Sequence, residues 1–453
     1  MYLRNPHNAM TWVNTQMQSA ILQDEQEHLI QGKKRVLGFL SSRGRAIEFP
    51  KQGIIAQAKD AKGKSINATI GMACEDDLSP MRLQSIAKNV LLAPEEIFTY
   101  ASSFGKPELR EAWKRSMLQK NPSLTGSISM PLPTNALTHA LSIAGYLFAD
   151  EGDKMIVPSI FWGNYRLIFE KAYGTVFDTY DMFDSARGRL DIESFREKLS
   201  ECRGKKIVLL NFPHNPTGYS PYTDEVQAIV SILKRQAETG DRIIAICDDA
   251  YFGLTYKEGV YKESIFSQLA DAHENILAVK IDGASKEDYA WGLRVGFMTF
   301  GCKGVGADGY LMLEEKAAAV IRGNISNVSN LSQSLICHAL NDPEYVQEKQ
   351  EKNRILKRRF LAAEMALQEQ AYREFFTPLP YNSGYFLCIM LKKGIEPENV
   401  RQILLNRYDT GVISLKESLR ISFASVPEGK METLFHNIYD ACKEADGQGG
   451  DKR

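Results

Sequence analysis

Short apolar runs alternate with amphipathic stretches of helical length between residues 84 and 335. The runs are rich in β-branched residues and are bounded by Gly, Pro, Asn or Asp, which is typical of buried strands in a parallel sheet. They predict strands at 154–158, 206–212, 242–247, 276–281 and 295–300. The stretches between them predict helices, and in the one at 223–239 the apolar side chains share a single face. This alternation predicts an α/β domain with a mostly parallel sheet flanked by helices.

The pattern predicts three further parts of the chain around this large domain, 84–335. Residues 1–83 are predicted to form a polar N-terminal arm, with a helix-compatible stretch at 16–31, together with part of a small domain. Residues 336–445 are predicted to form the rest of this smaller α+β domain. Residues 446–453 are polar and Gly-rich, so we expect a disordered tail there.

Composition narrows the possible classes of function. The 453 residues are 44% hydrophobic, enough for a large core, and 55 Lys and Arg nearly balance 56 Asp and Glu. Because no long basic stripe is present, we predict no nucleic-acid partner. The N-terminus lacks a signal-peptide pattern and no stretch approaches about 18 apolar residues, so we expect a cytoplasmic protein without membrane contact. The seven cysteines lack CxxC spacing and the seven histidines are dispersed, so we predict neither disulfides nor a metal site.

Lys286 is the most informative residue for chemistry. It ends a Gly-Ala-Ser-Lys run directly after a predicted strand, where a lysine can hold a carbonyl cofactor as a Schiff base. Arg294 lies eight positions further on between glycines, and its planar fork can pair bidentately with phosphate oxygens. Asp248 ends another strand and can keep a pyridine nitrogen protonated, while Asn215, in an Asn-Pro-Thr-Gly turn, can face a phenolic oxygen. Together these residues indicate pyridoxal phosphate.

The order of the motifs resembles the class I and II aminotransferases of fold type I, the aspartate aminotransferase superfamily. In chain order they are Asn-Pro-Thr-Gly, Asp-Asp-Ala-Tyr, Ser-Lys and Gly-Leu-Arg-Val-Gly, preceded by a Tyr-x4-Gly-x3-Leu-Arg segment that begins at Tyr100. The resemblance covers most of the chain. It implies a large cofactor-binding domain with a seven-stranded sheet, pyridoxal 5'-phosphate as cofactor, and a homodimer with active sites at the subunit interface.

The resemblance also implies a role for each site residue. Lys286 and Asp248 are the catalytic residues. The implied cofactor contacts are these two residues with Tyr100, Ala136, Leu137, Thr138, Trp162, Asn215, Tyr251, Ser285 and Arg294. The implied substrate contacts are Gly71, Trp162, Asn215, Arg322 and Arg420. Tyr100 would reach the phosphate of the neighbouring subunit's cofactor, and residues 134–141 would form a phosphate loop at a helix N-terminus, which favours an anion.

Three positions depart from the pattern of the family. Ala136 and Leu137 stand where many relatives have small residues, and Gly283 stands where many have a phosphate-binding serine. We therefore expect rearranged phosphate contacts, with Ser285, Thr138 and Arg294 as the remaining donors.

The function implied by the resemblance is amino-group transfer from an L-amino acid to a 2-oxo acid such as 2-oxoglutarate, with Lys286 as general acid and base. Arg420 would bind the α-carboxylate. Arg322 would bind a distal carboxylate across the dimer interface, which favours aspartate or glutamate as donor and an aromatic amino acid next. A C–S lyase or a decarboxylase on the same fold stays open as an alternative. A ligand-sensing regulator needs a fused DNA-binding region, which the N-terminal residues do not resemble.

Overall fold

The computed structural model describes residues 31, 33–50, 53–201 and 203–450. The helix predicted at 16–31 lies outside these residues, except for its last position. The chain divides into two compact units, Met1–Phe49 and Pro50–Arg453. In the described part of the first unit, residues 33–39 and Ser42–Ala46 are helical. All elements below belong to the second unit.

Strands are numbered in chain order over the described residues. They are β1 (Ile66–Asn67), β2 (Leu132–Asn135), β3 (Lys154–Pro158), β4 (Val176–Tyr180), β5 (Phe183–Asp184), β6 (Arg189–Leu190), β7 (Lys205–Asn211), β8 (Arg242–Asp248), β9 (Ile276–Gly283), β10 (Val295–Gly301), β11 (Phe376–Pro378), β12 (Phe386–Leu391), β13 (Thr410–Gly411), β14 (Ile413–Ser414) and β15 (Ser418–Ser422).

Helices connect these strands and follow them. Their bounds are Ile54–Asp60, Gln84–Ala87, Pro94–Ile97, Pro107–Lys120, Ala136–Phe148, Ile192–Ser200, Thr223–Glu238, Phe266–Leu269, Ala284–Glu287, Ala307–Ile325, Asn330–Leu340, Tyr345–Ala366, Pro397–Arg407 and Met431–Gly450. Short 3₁₀ turns occur at Trp291–Leu293, Gln370–Glu374, Phe423–Ser425 and Glu428–Lys430, and Arg166–Lys171 is a π-helix. No helix in the described ranges is both long and apolar enough to cross a membrane.

The central sheet has seven strands among the described residues, in the order β2-β10-β9-β8-β7-β3-β4. All neighbours are parallel except β10, which runs antiparallel to β2 and β9. The predicted α/β class with a mostly parallel seven-stranded sheet is therefore confirmed. The five strands predicted from the sequence lie in this sheet, with ends that agree to within two residues.

Two hydrophobic cores lie on opposite faces of this sheet. Alternate residues of β7 enter different cores, Ile207 and Leu209 one and Val208 and Leu210 the other. Helix Ala136–Phe148 packs in the first core and helix Thr223–Glu238 in the second. Because both faces are covered, the inner strands read as continuous apolar runs, which is why the sequence predicts them.

A second, antiparallel sheet follows helix Tyr345–Ala366, in the order β11-β12-β15-β14. β1 pairs with β13, so residues just before 70 contact the C-terminal part of the chain. The predicted domain limits at 84, 336 and 446 stay predictions. The predicted tail lies partly outside the described residues, and its described part continues the last helix to Gly450.

Gly218 joins the loop after β7 to the start of β12. Its φ is +72°, and an added Cβ would overlap the carbonyl oxygen of Phe386. The Gly218 carbonyl accepts hydrogen bonds from the amides of Asn382 at 2.9 Å and Ser383 at 2.8 Å. This close approach fixes the turn that carries Asn215.

We expect Gly218→Ala to destabilise the protein far more than Gly188→Ala. Gly188 has a similar φ of +62° but open space around its Cβ position, so alanine there costs about 1–2 kcal/mol of backbone strain. At Gly218 the overlap with Phe386 adds about 1–3 kcal/mol for the forced movement. Urea denaturation followed by circular dichroism measures both variants. Equal losses of stability would mean that the contact with Phe386 relaxes without cost.

Candidate active site

A cavity of about 800 Å³ opens beside the carboxyl ends of β7 and β8. Parallel sheets bind ligands at this edge. Of the residues singled out in the sequence, those lining the cavity are Gly71, Leu137, Thr138, Trp162, Asn215, Asp248, Tyr251, Lys286 and Arg420. The fold therefore gathers residues that are up to 349 positions apart, from Gly71 to Arg420, around one space.

Asp248 is a buried carboxylate at the end of β8. Burial raises its pKa, and the hydroxyl of Tyr165 opposes this by donating to its Oδ2 at 2.5 Å. The amide of Ala250 donates to its Oδ1 at 3.2 Å. Because the carboxylate is buried and these two contacts replace little of the lost water, it favours a cationic or proton-donating partner in the cavity.

Asn211 aligns the ends of β7 and β8. Its Nδ2 donates to the carbonyl of Asp248 at 2.8 Å, and its Oδ1 accepts the amide of Asn215 at 2.9 Å. The side chain of Asn215 thereby faces the cavity, and its Oδ1 is buried with no hydrogen-bond partner within the described part of the chain. A buried amide oxygen of this kind is paired in most proteins, so a ligand group is expected to contact it.

Lys286 lies on the short helix Ala284–Glu287 that follows β9. Its Nζ is 5.3 Å from the centre of the Tyr251 ring. Burial lowers the pKa of its amine, and the nearby negative charge of Asp248 opposes this shift. A lowered pKa increases the fraction of neutral amine, which is the form that attacks a carbonyl and accepts a proton.

Two carboxylates directly after Lys286 hold its backbone. Glu287 pairs with Lys120 at 2.5 Å and with Lys349 at 2.7 Å. Although burial would raise its pKa, these two lysines lower the pKa of Glu287 to about 2. Asp288 pairs with Lys349 at 2.8 Å and accepts the Tyr345 hydroxyl at 2.6 Å. Lys286 is therefore tied to helices Pro107–Lys120 and Tyr345–Ala366.

Close backbone packing surrounds the start of helix Ala136–Phe148, whose residues Leu137 and Thr138 line the cavity. A Cβ on Gly283 would come within 2.6 Å of Gly296 Cα, and one on Gly296 within 2.6 Å of the Ala136 carbonyl carbon. Position 283, where many relatives have a serine, is therefore a place in this protein where the packing leaves no room for a side chain. Ala136 takes a φ of +62° and donates its amide to the carbonyl of Arg294 at 3.0 Å.

This helix start can bind an anion. The first turn of an α-helix leaves its N–H groups without intrahelical acceptors, and Leu137 and Thr138 of this turn line the cavity. Ser285 directly precedes Lys286 in the chain. Its hydroxyl is buried, and no described residue forms a hydrogen bond with it.

Arg420, in β15, faces the cavity from the second sheet. Its Nη2 donates to the carbonyl of Thr69 at 2.9 Å, and its guanidinium lies 4.4 Å from the centre of the Phe386 ring. Its Nε is buried without a hydrogen-bond partner among the described residues, and burial lowers its pKa. A buried guanidinium in this state favours an anionic ligand.

Five of the residues singled out in the sequence do not line the cavity. Tyr100 is 92% exposed, and Arg322 is exposed near the end of helix Ala307–Ile325. Arg294 is exposed and donates from its guanidinium to the carbonyl of Trp291 at 3.1 Å. Ala136 and Ser285 are buried next to lining residues in the chain. The roles of all these residues stay predictions.

Sequence reasoning missed Tyr165 and Asn211. Tyr165 lies three positions after Trp162, and Asn211 ends a strand that the sequence does predict. A polar residue at the carboxyl end of an inner strand is a signal that could have identified Asn211. The contact between Tyr165 and Asp248 depends on folding and has no local signal.

Comparison with known proteins gives consistent matches. Residues 67–438 match the sequence profile of the family described as aminotransferase class I and II. The probable N-acetyl-LL-diaminopimelate aminotransferase of Bacillus subtilis is 26% identical over 334 residues, 73% of this chain and 75% of that protein. The probable aspartate/prephenate aminotransferase of Aquifex aeolicus is 26% identical over 300 residues, 65% and 69% of the two chains.

The fold has solved counterparts as well. The crystal structure of an aminotransferase from Anaerococcus prevotii aligns with a TM-score of 0.79 at 24% identity, over 89% of this chain and 99% of that chain. This likeness shows fold type I, in agreement with the prediction from the motifs.

Proteins of this family use pyridoxal 5'-phosphate, and the residues around the cavity fit it. Lys286 would be the amine for its aldehyde, and Asp248 would be the carboxylate for its ring nitrogen. The unpartnered Asn215 Oδ1 and Ser285 Oγ are polar atoms that a ring oxygen and a phosphate group could satisfy. The helix start at Leu137 and Thr138 suits the phosphate.

We expect Lys286→Met to stabilise the cofactor-free protein at neutral pH. The folded-state pKa of Lys286 lies below its unfolded value of 10.5, so the wild type loses stability as pH falls through this window. The loss is about 1.4 kcal/mol for each unit of pKa difference. Urea denaturation between pH 6 and pH 10.5, with exposed Lys234→Met as control, measures the effect. A stability difference that does not narrow toward pH 10.5 would contradict the assignment.

We expect Tyr165→Phe to shift the pH dependence of pyridoxal phosphate binding. Without the hydroxyl, the pKa of Asp248 rises further, so the ionised carboxylate is lost at a higher pH. A hydrogen bond to a charged group is worth about 1.5–3 kcal/mol, which corresponds to a shift of roughly one pH unit or more. Absorbance titration of the cofactor measures it. Tyr256→Phe, which loses a hydrogen bond to the Gly384 carbonyl, is the control and should bind as the wild type does.

Proposed function

This chain belongs to the class I and II aminotransferases, and we propose that it transfers the amino group of L-aspartate or L-glutamate, or of an aromatic amino acid, to a 2-oxo acid such as 2-oxoglutarate. One observation carries the general assignment. The buried guanidinium of Arg420 and the amine of Lys286 face the same cavity, so an α-carboxylate at the first places an amino acid beside the second.

Each residue then has a defined task. Bound pyridoxal phosphate supplies an aldehyde carbon that accepts the amino group and a ring that withdraws electrons. Lys286 Nζ removes the proton from the α-carbon of the donor and returns it as general acid. Asp248 holds negative charge at the ring nitrogen, and Arg420 orients the α-carboxylate bidentately. Tyr251 and Asn215, which line the cavity, provide hydrogen-bonding groups beside Lys286.

Aspartate or glutamate as donor depends on Arg322 and a second subunit. Arg322 and Tyr100 are both exposed, and the segments that carry them adjoin. Ser103 Oγ donates to the carbonyl of Ser326 at 2.8 Å, and Asn330 Nδ2 donates to Thr99 Oγ1 at 3.0 Å. We infer a homodimer in which this face supplies both side chains to the partner's cavity. The name of the Aquifex aeolicus relative supports aspartate as a donor.

An aromatic donor is supported by the apolar walls of the cavity. Besides the residues already named, the walls include Ile54, Ile55, Leu141, Phe161 and Leu167. Burying a large apolar side chain there contributes about 25 cal/mol for each Å² of apolar surface. No charged partner from another subunit is needed for this donor.

The test is a half-reaction with purified, cofactor-loaded protein and no 2-oxo acid. We expect L-aspartate, L-glutamate or L-phenylalanine to convert the cofactor stoichiometrically to pyridoxamine phosphate with release of the matching 2-oxo acid. Arg322→Met should raise the donor concentration that gives half the maximal conversion rate about tenfold or more for the two acidic donors only, since an ion pair in a shielded site is worth about 1.4 kcal/mol or more. Exposed Arg235→Met is the matched control.

The products separate the possible outcomes. Release of ammonia with pyruvate, or of carbon dioxide, would replace the proposal with a lyase or a decarboxylase. An equal effect of Arg322→Met on phenylalanine and aspartate would remove Arg322 from substrate recognition.

A further inference from the structure

A charged cluster lies inside the protein at the carboxyl ends of β8 and β9. It consists of Asp249, Lys280 and Asp282, which are 3%, 1% and 2% exposed. The ammonium of Lys280 pairs with Asp249 Oδ2 and lies 3.3 Å from Asp282 Oδ2. Among the described residues that line the active-site cavity, none belongs to this cluster. Lysine and aspartate are seldom buried so completely unless they are paired, and the tasks proposed for the active site do not involve these three residues.

Each carboxylate of the cluster accepts a further hydrogen bond. Ser264 Oγ donates to Asp249 Oδ2 at 2.6 Å. Trp113 Nε1 donates to Asp282 Oδ1 at 3.1 Å. Burial alone would lower the pKa of Lys280, but the charges of Asp249 and Asp282 raise it, so the ammonium stays protonated. Burial raises the pKa of Asp249 to about 6, although the charge of Lys280 opposes this shift. At neutral pH, Lys280 and Asp249 therefore form an ion pair.

Asp249 connects this cluster with the active site through the backbone. It directly follows Asp248, and its amide donates to the carbonyl of Ile281 at 2.8 Å, so it continues the pairing of β8 with β9. Side chains of successive residues in a strand face opposite sides of the sheet. Asp249 accordingly pairs with Lys280, while Asp248 faces the cavity. The ion pair thus holds the backbone next to the Asp248 carboxylate.

The apolar residues of β8 and β9 do not by themselves define how far one strand extends past the other. Residues 243–246 and 276–279 are apolar at every position, so a shift by two residues would keep each side chain on its own face of the sheet. Such a shift would separate Lys280 from Asp249. Buried charges add little net stability compared with apolar packing, and the definition of a register is their best-attested use.

We propose that Lys280 is a positioning residue: its pairing with Asp249 fixes the ends of β8 and β9 relative to each other, and thereby the Asp248 carboxylate relative to Lys286. The inference rests on the roles proposed for Asp248 and Lys286. Asp282 lies on the same strand as Lys280, so its contact with the ammonium does not link the two strands. Only the pair with Asp249 crosses from β9 to the end of β8.

This difference makes Asp249→Asn and Asp282→Asn a matched pair of variants. Each replaces one buried carboxylate beside Lys280 by an amide of the same shape. We expect Asp249→Asn to weaken binding of pyridoxal phosphate to the cofactor-free protein about tenfold through displacement of Asp248, and Asp282→Asn to leave it unchanged. Loss of the Asp249 charge would by itself favour the ionised form of Asp248, so charge alone would not weaken binding. Absorbance titration of the cofactor measures both variants.

The triple variant Asp249→Asn/Lys280→Met/Asp282→Asn separates position from stability. Replacement of a whole set of buried charges by neutral side chains is often neutral for stability or stabilising. The midpoint of urea denaturation should therefore be at or above that of Asp249→Asn, whereas the affinity for pyridoxal phosphate should stay as low as in that variant. A cluster that only stabilises the fold would restore both quantities together.

Amide hydrogen exchange of the cofactor-free protein gives a second readout. The amide at position 249 should exchange faster than in the wild type in Asp249→Asn and in the triple variant, but not in Asp282→Asn. The inference is overturned if both single variants weaken cofactor binding equally, or if the triple variant binds the cofactor as the wild type does. If the wild type binds no pyridoxal phosphate, the roles proposed for Asp248 and Lys286 fail, and the exchange at position 249 still decides whether the ion pair holds β8 on β9.

Discussion

Burial of the Asp248 carboxylate is the constraint on which the active site depends. The same desolvation that raises its pKa lowers the pKa of Lys286, so each group disfavours its own charge. Their mutual attraction and the Tyr165 hydroxyl offset only part of this cost. A ligand with a cationic ring nitrogen and an electrophilic carbon relieves both groups together. The energetic cost of burying both groups would thus contribute to affinity for the cofactor and to the reactivity of the amine.

Such a site works only if Lys286 is held still. Glu287 and Asp288 follow it directly, and the lysines that pair with them come from two separate helices. Buried ion pairs add little net stability compared with apolar packing, but removal of one partner is costly. The network therefore acts chiefly to specify one position of helix Ala284–Glu287. The close contacts of Gly283 with Gly296 and of Gly296 with Ala136 fix the start of helix Ala136–Phe148 relative to β9 and β10.

The sequence predicts those parts of this arrangement that have local signals. The inner strands are continuous apolar runs, and Lys286 and Asp248 stand at strand ends, so both fold class and cavity follow. β2 and β4 are not predicted because neither is a long apolar run. Each lies at an edge of the sheet, and β2 has only four residues while β4 contains the polar residues Asp178 and Thr179. The hydrogen bond from Tyr165 joins residues 83 positions apart and leaves no pattern in the chain. The proposed contributions of Tyr100 and Arg322 to a neighbouring cavity depend on contacts between two chains, which the sequence of one chain does not define.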